Sequence, residues 1–201
     1  MTRINALRAV LWLLVGLSAA VLVWTVTGRT GTTLASDAYG APFRAELVQA
    51  SAPEPKPFAR DDMVGRPHAI FFGFTHCPDV CPTTLYEAGQ WLDRLGPDAE
   101  GLDVYFVTVD PERDTPAVLA DYLRPFDARI KAVTGTPEQI ADAVEGWNVY
   151  AKRVPLDDGG YTMDHTASVF LHNADGTLQG TIAYGEAPDT AVEKLRRLAQ
   201  G

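Results

Sequence analysis

Cys77 and Cys81, the only two cysteines of the 201-residue chain, stand in Thr75-His76-Cys77-Pro78-Asp79-Val80-Cys81-Pro82. The apolar run His68 to Phe74 precedes them directly. A strand that ends in a paired-thiol loop and opens a helix suits two chemistries, disulfide exchange and the binding of a soft metal. Three residues separate the sulfurs, where a Cys-x-x-Cys redox loop has two, and this shifts the balance toward metal binding. Pro82 fits the first turn of a helix. Positions i and i+4 are therefore expected on one helical face, with both sulfurs able to meet one ion or each other. The positive end of the helix is expected to lower the thiol pKa and favour thiolates. Thiolates are soft donors, matched to copper or zinc and not to magnesium or calcium. A purely structural disulfide would close so small a loop that it would stabilise little.

A stable site needs at least one more ligand, and the chain offers four histidines. His68 begins the buried strand and reads as a residue of the strand boundary. His76 adjoins Cys77, so its side chain should point away from the sulfur. His172 ends a hairpin strand before Asn173, where a solvated role is expected. His165 is different, because Tyr161-Thr162-Met163-Asp164-His165-Thr166 reads as a loop leading directly into a core strand. In a sheet of thioredoxin type that loop faces the helix carrying the thiols. Two thiolates and one imidazole make a trigonal set that accepts Cu(I) or Cu(II). Asp164 either orients and charge-balances the site or caps its loop.

The elements that must position these residues follow from pattern and punctuation. His68 to Phe74 and Leu102 to Val109 read as buried strands. Pro82 to about Leu95 reads as a helix stopped by Gly96-Pro97. Asp114 or Thr115 can cap a helix carrying Pro116 in its first turn. Ile130 to Val133 predicts a short strand, and Thr136-Pro137-Glu138-Gln139 caps a helix to about Glu145. Ser168 to His172 and Leu178 to Ala183 flank a turn containing Gly176 and predict a hairpin. Asp189 to Ala199 predicts a terminal amphipathic helix. Residues 51–57, rich in proline, read as a loop within an N-terminal β region. The sum is an α/β, thioredoxin-like fold with an N-terminal β-hairpin and a helical insertion at 137–145.

Ala9 to Gly28 holds no charged residue. At about 1.5 Å per residue these residues reach across the roughly 30 Å core of a bilayer. Arg3 and Arg8 precede the span, which puts the N-terminus in the cytoplasm and the rest of the chain outside it. Ser18-Ala19-Ala20 lies inside the run, a poor place for signal cleavage, so an uncleaved anchor is favoured over a signal peptide. No Arg- and Ser-rich presequence precedes it, which points to a bacterial inner membrane. Residues 1–29 are thus an expected anchor, 30–42 a small, polar tether, and 43–201 the folded domain. Residues 30–201 carry 14 basic and 26 acidic side chains, which argues against nucleic acid as a partner.

Three stretches stand out together: Phe72-Gly73-Phe74-Thr75-His76-Cys77-Pro78-Asp79-Val80-Cys81-Pro82-Thr83-Thr84-Leu85, Thr108-Val109-Asp110-Pro111-Glu112-Arg113-Asp114-Thr115-Pro116, and Asp164-His165-Thr166. In combination they resemble the SCO/SenC family of copper chaperones. The resemblance covers roughly residues 40–200, with the family's single anchor falling on 9–28. It implies a thioredoxin fold and copper ligation by Cys77, Cys81 and His165. It also implies delivery of copper to the dinuclear site of cytochrome c oxidase subunit II in the periplasm, with other periplasmic copper chaperones as further partners. The alternative within the family is thiol–disulfide exchange by Cys77 and Cys81, which would keep the cysteines of that site reduced. A peroxidase reading lacks the Thr or Ser and Arg that activate a peroxidatic cysteine. The Asp110 to Pro116 stretch shows no chemistry of its own and is expected to order a loop and cap a helix.

Overall fold

A computed structural model describes Trp12, Leu13, Gly16, Ser18, residues 43–157 and residues 159–201. The first four are helical, and the rest of the expected span at 9–28, with the tether at 30–42, lies outside the described residues. Among the described residues no helix is long and apolar enough to cross a membrane.

In chain order the domain runs β1 (Arg44–Gln49), β2 (Ala52–Ala59), β3 (His68–Gly73), α1 (Val80–Leu95) and β4 (Asp103–Thr108). It continues with α2 (Pro116–Leu123), β5 (Ile130–Thr134), α3 (Pro137–Gly146), β6 (Ala151–Pro155) and β7 (Tyr161–His165). β8 (Val169–His172), β9 (Leu178–Ile182) and α4 (Pro188–Gln200) complete it. One sheet has the order β2-β1-β5-β4-β3-β8-β9, and β6 with β7 forms a separate antiparallel ribbon. β3 and β4 are parallel, while β8 runs antiparallel to both β3 and β9. This is the thioredoxin-like arrangement expected from the pattern, with α1 packed on α4 and α2 against β1, β2 and β5.

Local signals place most element ends. All six residues of β3 are buried, as a strand covered on both faces requires. Gly96 ends α1 with φ of +60°, a conformation that costs glycine little. Thr115 caps α2 by accepting from Val118 N–H, and Thr136 with Gln139 forms a capping box on α3.

The proline-rich stretch is a strand and not a loop, since β2 spans it. β2 is an edge strand paired only with β1. Pro57 stands opposite Glu46, while Pro53 and Pro55 fall in the irregular stretch between Ala52 and Lys56 that has no partner in β1, and an edge strand tolerates their missing N–H groups. The Tyr161 to His165 stretch is likewise strand β7, held in register by β6.

Both histidines expected at a boundary or in solvent are interior. His68 is 1% and His172 4% exposed, because β3 and β8 are inner strands of the sheet. They face each other across the β3–β8 pair with parallel rings 5.3 Å apart. Nδ1 of His68 donates to the Arg66 carbonyl and Nδ1 of His172 to the Gly176 carbonyl. Burial pushes the His68 pKa down to about 4 and lowers that of His172 as well.

A free imidazole protonates near pH 6.5, so between that value and about 4 the unfolded chain binds more protons at His68 than the folded one. Stability should therefore fall as pH drops through this window, by about 2 kcal/mol from His68 alone between pH 7 and pH 5. Asp114, whose carboxyl burial raises, works in the opposite sense above the ordinary carboxylate value. Denaturant unfolding of the wild type beside His68→Phe at both pH values isolates the His68 share. An equal pH slope in the two proteins would refute it.

Candidate metal centre

Cys81 sits in the first turn of α1 and is fully buried, while Cys77 is half-buried in the loop between β3 and α1. The two cysteines do not share a helical face. The helix N-cap, Asp79, has φ of −141° and ψ of −64°, so the chain turns between them. The turn brings the Cys77 sulfur within 3.4 Å of the Cys81 backbone N–H, which donates to it. Cys77 N–H in turn donates to the Phe74 carbonyl and closes the loop on the end of β3. Both thiols are free.

His165 arrives from the other side, at the end of β7, with Nε2 3.7 Å from Cys81 Sγ. Its Nδ1 lies 3.0 Å from the Thr166 carbonyl, which only accepts, so Nδ1 carries the proton and the Nε2 lone pair faces the sulfur. Phe71 and Phe74 meet the imidazole in T-shaped contacts and cover part of it, leaving the ring half-buried. That burial is the main cause of its lowered pKa, with the Thr166 carbonyl and the Asp164 charge opposing it. The ring is thereby kept in its neutral, metal-binding form.

The thiol of Cys81 departs from the expected thiolate. Burial pushes its pKa up, and desolvation outweighs the helix terminus for a sulfur with no exposed surface. Asp164, next to His165 on a strand, is exposed and belongs to the other face of the ribbon. What it gives the site is the field of its carboxylate, which raises the His165 pKa. His76 is exposed, with Nδ1 3.1 Å from Thr75 Oγ1.

The ligand candidates thus meet in pairs, Cys77 with Cys81 and Cys81 with His165. Among the described residues no three His, Cys, Asp or Glu side chains stand together in ligating geometry. Two positioning features escaped the sequence reading. A Cβ on Gly73 would lie 2.5 Å from Phe106 Cε2 and 2.9 Å from Cys81 Sγ, so glycine leaves the room that the sulfur occupies. A glycine ending a buried strand just before a thiol loop is the signal that could have found it. The other feature is Asp114, a fully buried carboxylate that Thr75 and Thr108 flank in space.

The profile of the SCO1/SenC family matches residues 33–200. The mitochondrial SCO2 homolog of Mus musculus is 37% identical over 145 residues, covering 71% of this chain and 57% of that protein. The chain spans little more than half the length of the mammalian relatives it matches. The structure of Bradyrhizobium japonicum ScoI with copper bound superposes with a TM-score of 0.70 at 42% identity, covering 79% of this chain and 98% of that one. Yeast Sco1 with copper bound gives a TM-score of 0.71 at 30% identity, over 81% of this chain and 88% of its own.

Proposed function

The chain belongs to the SCO1/SenC family, and from that we propose that it is a copper chaperone of cytochrome c oxidase assembly, with copper as its cargo. Cys77, Cys81 and His165 are the ligands in this reading, and the dinuclear copper site of oxidase subunit II is the acceptor. One observation carries it: the Nε2 lone pair of a neutral imidazole is aimed at the Cys81 sulfur from 3.7 Å. Two relatives at 42% and 30% identity have been solved with copper bound, which supports copper over zinc. Loading displaces the proton that burial holds on Cys81. It also draws the Cys77 sulfur from the Cys81 N–H toward His165, which completes a trigonal set for Cu(I) or Cu(II). Asp164 offsets part of the added positive charge through its field.

Residues 1–29 anchor the protein in a bacterial inner membrane in this proposal. The tether at 30–42 lets the domain at 43–201 reach its acceptor, and other periplasmic copper chaperones, on the periplasmic side. Anaerobic titration of the full chain with Cu(I), followed by mixing with an oxidase subunit II copper domain, tests it. The chain should bind about one copper and pass it on, so that the acceptor develops the absorption of its dinuclear site. Loading without transfer would remove the delivery claim.

Two free thiols joined through the Cys81 N–H favour a second reading, reduction of the acceptor's cysteines. Cys77 and Cys81 would become a disulfide, giving two electrons and two protons to the acceptor disulfide. That reaction needs no imidazole ligand. Its mark is metal-free reduction of an oxidised subunit II peptide that survives His165→Ala.

A further inference from the structure

The Asp110 to Pro116 stretch contacts both halves of the metal centre. We propose that Arg113 and Asp114 are its positioning residues: Asp114 holds the cysteine loop through Thr75, and Arg113 holds the histidine ribbon through Tyr161. The proposal rests on the copper reading of the site.

The cysteine side begins at Thr75, two residues before Cys77. Its backbone N–H donates to Asp114 Oδ2 at 3.1 Å and its hydroxyl donates to Oδ1 at 2.6 Å. Thr108, at the end of β4, donates to Oδ2 at 2.6 Å. Asp114 is itself fixed through its own backbone, where its N–H donates to the Asp110 carbonyl and its carbonyl accepts from Thr134 Oγ1. A fully buried carboxylate filled by hydroxyl and amide donors is costly to misplace, because each donor that loses it is stranded away from water. The start of the thiol loop is therefore pinned to the ends of β4 and β5.

The histidine side begins at Tyr161, the first residue of the strand that ends in His165. The Arg113 guanidinium lies 3.8 Å from the Tyr161 ring centroid and donates from Nη1 to the Tyr161 carbonyl at 3.0 Å. Its Nε pairs with Asp110 Oδ2, and the Tyr161 hydroxyl donates to Oδ1 of the same carboxylate at 2.8 Å. Arg153 from β6 adds a second guanidinium 3.5 Å from the ring centroid. A planar fork that stacks and donates at once cannot be reproduced by an ammonium group. Arg113 and Asp114 are adjacent, so one rigid turn sets where the sulfurs and the imidazole stand relative to each other.

The test compares the full-length wild type with His165→Ala, Arg113→Lys, Asp114→Asn and Val48→Ala. Val48→Ala is a core change in β1 that lowers stability away from the loop. Each is loaded with Cu(II), and the EPR hyperfine couplings, the chelator-driven copper off-rate and the thermal midpoint are recorded. Arg113→Lys and Asp114→Asn should raise the off-rate about tenfold, as changes behind a ligand do, and should alter the couplings. Val48→Ala should keep wild-type couplings despite its lower midpoint. Should Arg113→Lys or Asp114→Asn not fold, Tyr161→Phe, which removes only the hydroxyl on Asp110, should move the same couplings in the same direction. Wild-type couplings and off-rate in the folded loop variants would overturn the proposal while leaving the copper site standing. The same change in Val48→Ala would reduce it to a stability effect and overturn it as well. A wild type that takes up no copper, or a His165→Ala protein with unaltered couplings, overturns the reading beneath it and the proposal with it.

Discussion

His165→Ala is expected to weaken copper binding by more than about a hundredfold, beyond the 10–100-fold that changes behind a ligand cost. Among the described residues the imidazole is the side-chain nitrogen brought to Cys81, at 3.7 Å, and its tautomer is already set by the Thr166 carbonyl. Without it the two sulfurs would leave the metal two-coordinate or open to solvent, and any Cu(II) form would lose its nitrogen hyperfine coupling. The thiols themselves should stay intact, because Cys77 is held by the Phe74 carbonyl and by Cys81 N–H, neither of which involves the ring. Metal-free thiol–disulfide exchange should thus survive the substitution while copper affinity collapses. Competition titration against a chelator and thiol-exchange kinetics on the same preparation read both quantities. Unchanged affinity and spectrum would take His165 out of the site. Affinity should also fall with pH in the wild type, since copper must displace the proton that burial favours on Cys81.

Which parts of this site could be read from residues alone follows from how local their causes are. The thiol loop at the end of a buried strand, the cap at Thr115, the capping box at Thr136 and the stop at Gly96 are decided by a few neighbouring residues. Each was legible for that reason. Choosing His165 needed one further step, that a segment preceding a core strand faces the helix carrying the thiols, and the 3.7 Å approach agrees with it. The failures share a different origin. His68 and His172 look like boundary residues until the order of the sheet shows that both strands are inner ones. Residues 51–57 look like a loop until the edge of the sheet gives the prolines a place, two of them in an irregular stretch of β2, where a missing N–H is tolerated. The thiols look like one helical face until the backbone of Asp79 turns between them. The Cys81 pKa follows burial by remote residues, which no count of helix positions contains. Arg113 and Asp114 lie within a recognisable motif, yet their partners Thr75 and Tyr161 are 39 and 48 residues away.

Gly73→Ala should damage the centre without touching any ligand. Gly73 has no positive φ, so alanine is allowed by the backbone and the whole cost is steric. The new methyl would stand 2.5 Å from Phe106 Cε2 and 2.9 Å from Cys81 Sγ, both far inside contact distance. Phe106 is fully buried and packed at 5.9 Å against each of the Phe71 and Tyr122 rings, so it has little room to retreat. The strand end cannot move easily either, because Gly73 is paired with Thr108 of β4 and its carbonyl accepts from Val109 N–H. Cys81 is left to yield, which shifts its sulfur relative to His165. Overpacking of this kind costs about 1–3 kcal/mol, so the thermal midpoint should drop. Copper affinity should fall about tenfold, as expected when a ligand is displaced but not removed. Phe106→Leu in the same chain gives the methyl space and should restore part of both losses, a coupling that a double-mutant cycle measures directly. Recovery of stability without recovery of copper affinity would show that Phe106 takes the strain and the sulfur does not. Wild-type stability and affinity in Gly73→Ala alone would show that the end of β3 relaxes freely, and the role of Gly73 in seating Cys81 would then fall.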